Sequence, residues 1–413
     1  DDDASPDAAR ARLVSELRHR GGVLSRSVQE AFARVPRHVF VPEVGAAAAY
    51  RDEAFVIKCG PDGLPVSSSS QPAMMAIMLD QLGLEPGHRV LEIGAGSGYN
   101  AAVMSAVIGP GGHVVSIDID RELVSRARTS LLTAGVDGVT VRCADGGFGD
   151  PAGAPFDRII VTAGAWDIAP SWLDQLGPGG RLVLPLSVCG IELSVALERA
   201  GPYWLSTSAW RCGFVRMLGA FAGPETVLQL DEPRALLVQV SDGKPIDAAG
   251  LQHALAGPAF DAPVPVTLAS LAEVADLDLW LTVTSADLDR LTLLAAPGGW
   301  FQLASVLPFG GLVSHAAAAG RLGIALLLPA ELPDSADAGL PRPAAVVRGF
   351  GAGGAQLASR LAERTLRWAA LGRPGSREFR LTVRPAGASP GPPAAGCVLL
   401  RRPSVAIEAG WPG

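Results

Sequence analysis

The chain has 413 residues, 48% of them hydrophobic and 18% charged, which fits a soluble globular protein with room for two or three domains. A net charge of −7 argues against nucleic-acid binding through a basic surface, and no apolar run reaches the length of a membrane-spanning helix. The five cysteines (Cys59, Cys143, Cys189, Cys212, Cys397) never fall in C-x-x-C spacing, so no disulfide framework or metal site is expected; the opening Asp1-Asp2-Asp3-Ala4-Ser5-Pro6 lacks the basic head and apolar stretch of a signal peptide, so a cytoplasmic setting is expected.

Two helical segments come first, about Ala8 to Arg20, stopped by Gly21-Gly22, and Ser27 to Arg34, stopped by Pro36. Residues 36–72 read as irregular, punctuated by Pro36, Pro42, Pro61, Pro65 and Pro72. An alternation then begins. Arg89–Ile93 is a strand, Gly94–Gly98 a turn and Tyr99–Ile108 a helix. His113–Asp118 is a strand, followed by a helix from Arg121 to Ala134 with Asp120 as N-cap and Gly135 as its stop. Val139–Cys143, Asp157–Val161 and Arg181–Leu186 are further strands, with a short helix near Ser171–Leu176. Strands alternating with helices imply a parallel sheet covered on both faces. Glu192–Glu198 and Trp210–Leu218, with no helix between them, suit an antiparallel edge. Beyond Pro224 the character changes: residues 224–340 are acidic, and residues 341–413 carry 11 Arg against 3 Glu.

The strongest local signal is Val90-Leu91-Glu92-Ile93-Gly94-Ala95-Gly96-Ser97-Gly98-Tyr99, a strand, a glycine-rich turn and a helix start. Glycines at 94, 96 and 98 let the backbone turn sharply beside a ligand, and the helix N-terminus offers free N–H groups. The dinucleotide fingerprint needs a small residue where Tyr99 stands, and Glu92 before the first glycine would repel a pyrophosphate. The same acid would favour the sulfonium and ammonium of S-adenosylmethionine. Asp118, at the end of the second strand, can accept both ribose hydroxyls, and Asp145-Gly146, after the third, suits an adenine amino group. For each acid the alternative is a cap or turn role.

These strand-end acids are typical of class I methyltransferases. From about Pro36 to Gly219 the chain resembles the protein-L-isoaspartate O-methyltransferase family. The resemblance is carried by Arg37-His38-Val39-Phe40-Val41-Pro42, Ala49-Tyr50-Arg51-Asp52, Val66-Ser67-Ser68-Ser69-Ser70-Gln71-Pro72, the glycine-rich loop, Ala154–Ala163 and Gly177–Pro185. It implies S-adenosylmethionine as cofactor and a carboxylate as acceptor. Ser70 falls on the family's serine beside the transferring methyl, while Ser68 replaces a threonine and Ser69 an apolar residue. A serine run of this kind also occurs in relatives that methylate ribosomally made, enzyme-modified peptides such as lanthipeptides and graspetides, which often carry an extra C-terminal domain.

The expected fold is a class I, Rossmann-like α/β methyltransferase with a mostly parallel sheet and an antiparallel edge, plus an α/β or α+β accessory domain. Residues 1–72 would form a helical and substrate-binding segment, 73–223 the cofactor-binding domain and 224–413 the accessory domain. The expected site has Ser70, Ser68 and Ser69 at the acceptor and Glu92, Gly94, Gly96, Gly98, Asp118, Asp145 and Gly146 at the cofactor. The expected reaction is methylation of an Asp or isoAsp side carboxylate in a modified precursor peptide, leading to aspartimide or isoaspartate. General isoaspartyl repair is the alternative, and an inactive cofactor-binding scaffold a further one. Gly349-Phe350-Gly351-Ala352-Gly353-Gly354 nominally matches a second nucleotide loop, but Arg384 follows where an acid is needed, so a tight strand-to-helix connection is the expectation there.

Overall fold

A strand buried on both faces must be apolar throughout, and a parallel neighbour needs a crossover to reach it. The short apolar runs of residues 89–188 meet both conditions. The computed structural model describes residues 5–20, 24–61, 63–231, 236–240, 243, 245, 247–285, 289–295, 309–316, 321–329, 344–388 and 391–411. Helices α1 (Pro6–Arg20) and α2 (Arg26–Arg34) lead into a hairpin, β1 (Phe55–Cys59) and β2 (Pro65–Ser69), and then α3 (Pro72–Leu82). The alternating unit comprises β3 (Arg89–Ile93), α4 (Tyr99–Ile108), β4 (His113–Asp118), α5 (Arg121–Thr133), β5 (Val139–Cys143), β6 (Phe156–Val161), α6 (Pro170–Asp174) and β7 (Leu176–Val188). Two antiparallel strands follow, β8 (Ile191–Ala200) and β9 (Tyr203–Arg211).

Strands β5, β4, β3, β6 and β7 pair in parallel in that spatial order, and β8 and β9 extend the sheet antiparallel. Neighbouring residues on each strand enter opposite cores. Leu91, Ile159 and Leu182 pack towards α6, with Trp172 fully buried there. Val90, Ile160 and Val183 pack towards α1–α5, against Phe32, Leu79 and Met104. This is the class I methyltransferase α/β fold.

The sheet does not end at residue 223. After β10 (Thr226–Asp231), β11 (Leu236–Val240), α7 (Ala248–Ala256), β12 (Ala259–Thr267), α8 (Leu271–Val283), β13 (Asp289–Ala295), β14 (Phe309–Ala316), β15 (Arg321–Pro329), β16 (Ala344–Phe350) and α9 (Gly354–Ala370), the chain returns to it. Strand β17 (Arg380–Pro385) pairs with β9, and β19 (Val405–Gly410) and β18 (Cys397–Arg401) follow outward, giving a ten-stranded sheet. The expected accessory segment 224–413 is therefore split. Strands β10–β16 form a separate antiparallel sheet, while the last three complete the first one. The cause is apolar burial: Leu381, Val383 and Ile407 are fully buried against the same core as Leu182 and Val195.

Two other expectations change, and a third is met. Residues 36–72 contain the β1–β2 hairpin. The strand expected at 210–218 lies at Tyr203–Arg211, and 212–220 runs as an irregular segment. At Gly349–Gly354 the strand and helix backbones touch so closely that a Cβ on Gly349 would strike Gly354 O, so these glycines serve strand–helix packing. Of the arginine-rich C-terminal stretch, Arg342 lies outside the described residues.

Candidate active site

The glycine-rich turn joins β3 to α4 at the carboxyl edge of the parallel strands, where open α/β sheets bind ligands. Gly94 has φ +103, and a Cβ there would lie 2.5 Å from Thr162 Oγ1, so only glycine fits. The Thr162 hydroxyl, just past β6, donates to Gly94 O at 2.7 Å or Ile93 O at 3.0 Å and fixes the turn from below. Asp118 Oδ2 accepts from Gly96 N–H at 3.0 Å, and Asp118 Oδ1 from Asp120 N–H at 3.0 Å. Burial raises its pKa.

A cavity of about 1030 Å³, its open mouth included, lies over this edge. Its walls hold Ser68, Ser69, Ser70, Gly94, Gly96, Asp118 and Gly146 of the expected site. Gly146 is pressed against Ile93, and its carbonyl accepts from Trp172 Nε1 at 2.9 Å.

Three expected cofactor residues do not line the cavity. Gly98 instead lets α4 pack on α5, since a Cβ there would meet Ala127 at 3.2 Å. The Asp145 carboxylate turns away, accepting from Gly147 N–H at 2.9 Å and Ala220 N–H at 2.8 Å. Glu92 is fully buried behind the turn, accepting from Ser116 Oγ at 2.5 Å and Asn100 Nδ2 at 2.8 Å. Burial pushes its carboxyl up to about 7 despite those two bonds.

Asn100 does line the cavity. With its Nδ2 committed to Glu92, its buried Oδ1 has no hydrogen-bond partner among the described residues. An unsatisfied buried acceptor beside two acids suits an ammonium donor. The residues present thus fit S-adenosylmethionine: Asp118 would accept ribose hydroxyls, the glycine backbone would allow close approach, and Asn100 Oδ1 with Glu92 behind it would receive the positive amino acid end. Among the described residues no group of His, Cys, Asp and Glu is arranged to hold a metal ion.

The rest of the cavity wall is built from two segments. The β1–β2 hairpin places Ser67–Ser70 over the glycine turn, with Ser68 O 3.5 Å from where a Gly96 Cβ would be. Lys58 on β1 ties the hairpin to the start of α5 through Asp120 at 2.7 Å and Glu122 at 2.6 Å. Arg37, fully buried, holds the hairpin's end: its guanidinium donates to Arg51 O at 3.0 Å, Glu53 O at 3.0 Å and Ser70 O at 2.9 Å. Its cation also lies 5.0 Å from the Phe55 ring centroid. Asp52 caps α3 by accepting from Ala73 N–H at 2.8 Å and from Gln71 Nε2 at 3.1 Å, which fixes the step from Ser70 into the helix.

The second segment is Phe214–Leu218, which walls the cavity from the far side. A parallel bridge holds it to Gly164, with Gly164 N–H donating to Val215 O at 2.8 Å and Met217 N–H to Gly164 O at 3.0 Å. Sequence reading missed Arg37, Asn100, Thr162 and this segment. Arg37 and Thr162 lay inside quoted motifs, but nothing local marks an arginine as an internal clamp or a threonine as a brace under the turn.

Comparison with known proteins fits this geometry. Residues 8–218 match the family model of protein-L-isoaspartate(D-aspartate) O-methyltransferase. A protein-L-isoaspartate O-methyltransferase of Methanopyrus kandleri is 46% identical over 179 residues, covering 43% of this chain and 76% of that protein. One from Hyperthermus butylicus is 41% identical over 226 residues, covering 52% and 91%. A solved protein-L-isoaspartate O-methyltransferase aligns over 90% of this chain and 96% of its own, at 23% identity and a TM-score of 0.48. A Plasmodium falciparum structure of the same description, solved with S-adenosyl-L-homocysteine, aligns over 51% and 98%, at 20% identity and a TM-score of 0.44. The chain belongs to the protein-L-isoaspartate(D-aspartate) O-methyltransferase family and is an S-adenosylmethionine-dependent carboxyl O-methyltransferase.

Proposed function

We propose that the protein methylates the free carboxylate of isoaspartyl residues in proteins and peptides in general, as a repair enzyme does. The observation that carries this reading is the continuous cavity joining Asp118 and the glycine turn to Ser70, within the stretch matched by the family. When bound, the cofactor supplies a methyl group on a sulfonium.

The acceptor is already ionised at neutral pH, its unperturbed pKa being about 4, so no general base is needed. The chain's task is alignment and exclusion of water. Ser70, with Ser68 and Ser69 beside it, donates hydrogen bonds that orient one carboxylate oxygen at the methyl carbon. Arg37 holds the Ser70 backbone, and hence the angle of approach. With the cofactor held by Asp118, the glycine turn and Asn100, that carboxylate oxygen would accept the methyl group and the sulfonium would leave as a neutral thioether. The ester is then attacked by the next backbone amide nitrogen of the peptide, which loses its proton as methanol departs and a succinimide closes. Hydrolysis of that ring yields Asp or isoAsp.

A second reading is favoured by the Ser68-Ser69-Ser70 run and by the chain beyond residue 218: a dedicated, ribosomally made modified peptide, with aspartimide or isoaspartate as the product. One assay separates the two. The protein is incubated with S-adenosylmethionine and either a generic isoAsp peptide, its Asp counterpart or a modified peptide encoded nearby, and intact mass is followed for gain of a methyl and later loss of methanol. Efficient turnover of the generic isoAsp peptide supports repair, turnover of the modified peptide alone supports the dedicated role, and no turnover refutes both.

A further inference from the structure

We propose that Glu192 is a positioning residue for the acceptor side of the active site, its carboxyl group fixing the Phe214–Leu218 wall. The assignment rests on the isoaspartyl methyltransferase reading above and adds the residue that shapes its peptide site.

Residues 212–220 cross the carboxyl edge of the sheet without forming a strand, so their conformation depends on anchors. Anchors hold the segment at its two ends and in the middle. At the far end Ala220 N–H donates to Asp145 Oδ2 at 2.8 Å. In the middle the Gly164 backbone holds Val215 and Met217. At the near end Phe214 N–H donates to Glu192 Oε2 at 2.6 Å, while Cys212 N–H donates to the Glu192 backbone carbonyl at 3.1 Å.

Glu192 lies at the start of β8, on the rigid part of the sheet, and does not itself line the cavity. Its other oxygen rests against Gly164, where a Cβ would strike it. The side chain is half-buried, with its carboxyl tip turned inward. One side chain thus sets the spacing between the loop after β6 and the segment facing Ser70.

Burial of the tip, with Glu225 nearby, pushes the carboxyl up to about 8, against the pull of the Phe214 amide and of Arg211. The charged and titratable groups around it are Arg211 and Cys212 at the end of β9 and Glu225 beyond the segment; Arg211 pairs with Asp278 of α8 at 3.1 Å. At neutral pH the acid is therefore mostly uncharged, and an amide oxygen can replace it.

The test measures KM for S-adenosylmethionine, KM for an isoAsp peptide and kcat in the full chain, for wild type, Glu192→Ala and Glu192→Gln, from pH 6.5 to 9. Glu192→Ala is expected to raise the peptide KM about tenfold, the loss typical of one buried hydrogen bond, with the cofactor KM unchanged. Glu192→Gln, which keeps an acceptor oxygen for Phe214, is expected to restore the peptide KM. It is also expected to remove the change in peptide KM expected of the wild type near pH 8, where the carboxyl ionises. A peptide KM unmoved in Glu192→Ala, or a cofactor KM raised equally, overturns the assignment. Should Glu192→Ala fail to fold, a pH response in Glu192→Gln identical to wild type overturns it. A wild-type protein that binds S-adenosylmethionine but methylates no isoAsp peptide refutes the functional reading first, and this assignment with it.

Discussion

Replacing Glu92 by Gln should stabilise the cofactor-free protein at alkaline pH and weaken its hold on the cofactor. Glu92 is fully buried, its partners are the neutral Ser116 and Asn100, and among the described residues no cation faces it at hydrogen-bonding distance. Burial pushes its carboxyl up to about 7 in the folded chain, from the ordinary value of about 4.5. Below pH 4.5 the acid is neutral in both folded and unfolded chains and carries no penalty. Between 4.5 and 7 the unfolded chain ionises first, so stability falls as pH rises. Above 7 the full penalty applies, about 3 kcal/mol. Gln keeps the same shape and can accept from Asn100 while donating to Ser116 Oγ. The melting-temperature difference between Glu92→Gln and wild type should therefore be near zero at pH 4.5 and reach several degrees at pH 8.5, on the order of 2–4 °C per kcal/mol. Because only the difference between the two proteins is read, other acids such as Glu192 cancel. Binding should move the opposite way, with S-adenosylmethionine affinity at pH 8 falling roughly tenfold as one charge is lost through a partly dry interior. Melting differences equal at both pH values, or tighter cofactor binding by the variant, would refute the reasoning.

Other outcomes follow from the same geometry. Ser70→Ala should lower kcat/KM for an isoAsp peptide by one to two orders of magnitude, roughly one lost orienting donor, while cofactor binding by calorimetry stays within about twofold. Gly94→Ala should abolish cofactor binding in a folded protein, since its Cβ meets Thr162 Oγ1 at 2.5 Å and φ is +103; retained affinity would mean that the turn can shift. Arg37→Met leaves three carbonyls without their donor and should cost about 3 kcal/mol in denaturant unfolding, with peptide turnover lost before cofactor binding. Deleting residues 376–413 uncovers the edge of β9 and the apolar faces that Leu381, Val383 and Ile407 bury. The truncated chain should be aggregated or lowered in melting temperature, and a soluble, fully active product would show those strands to be dispensable.

Much of the cofactor side was legible because its information is local. The apolar strand β3, the glycines after it and the acid closing β4 lie within thirty residues, and each acts through its own backbone position. Asp120 caps α5 as its place in the sequence implies, accepting from Glu122 and Leu123 N–H, and Gly135 beyond that helix has φ +63. The acceptor side was legible only where family resemblance pointed to Ser70. Prolines around 36–72 hide a hairpin whose strands are held by pairing and by Arg37 rather than by a periodic pattern.

What only the tertiary structure decided is how distant pieces share groups. Asp145 ends a strand where an adenine ligand was expected, and only the folded chain brings the amide of Ala220 to its carboxylate. Glu92 was expected at the cofactor, and the fold buries its carboxyl behind the glycine turn, bonded to Asn100. Strand β17 has the alternation of any half-buried strand, and nothing in it says that Leu381 N–H will meet Ser206 Oγ at 2.7 Å, 175 residues away. Periodicity states which face of a strand is buried; which edge it joins depends on the non-local fit of the buried faces. The sequence by itself therefore determined the methyltransferase core and its cofactor turn, while the packing of remote segments decided the shape of the acceptor wall and the extent of the sheet behind it.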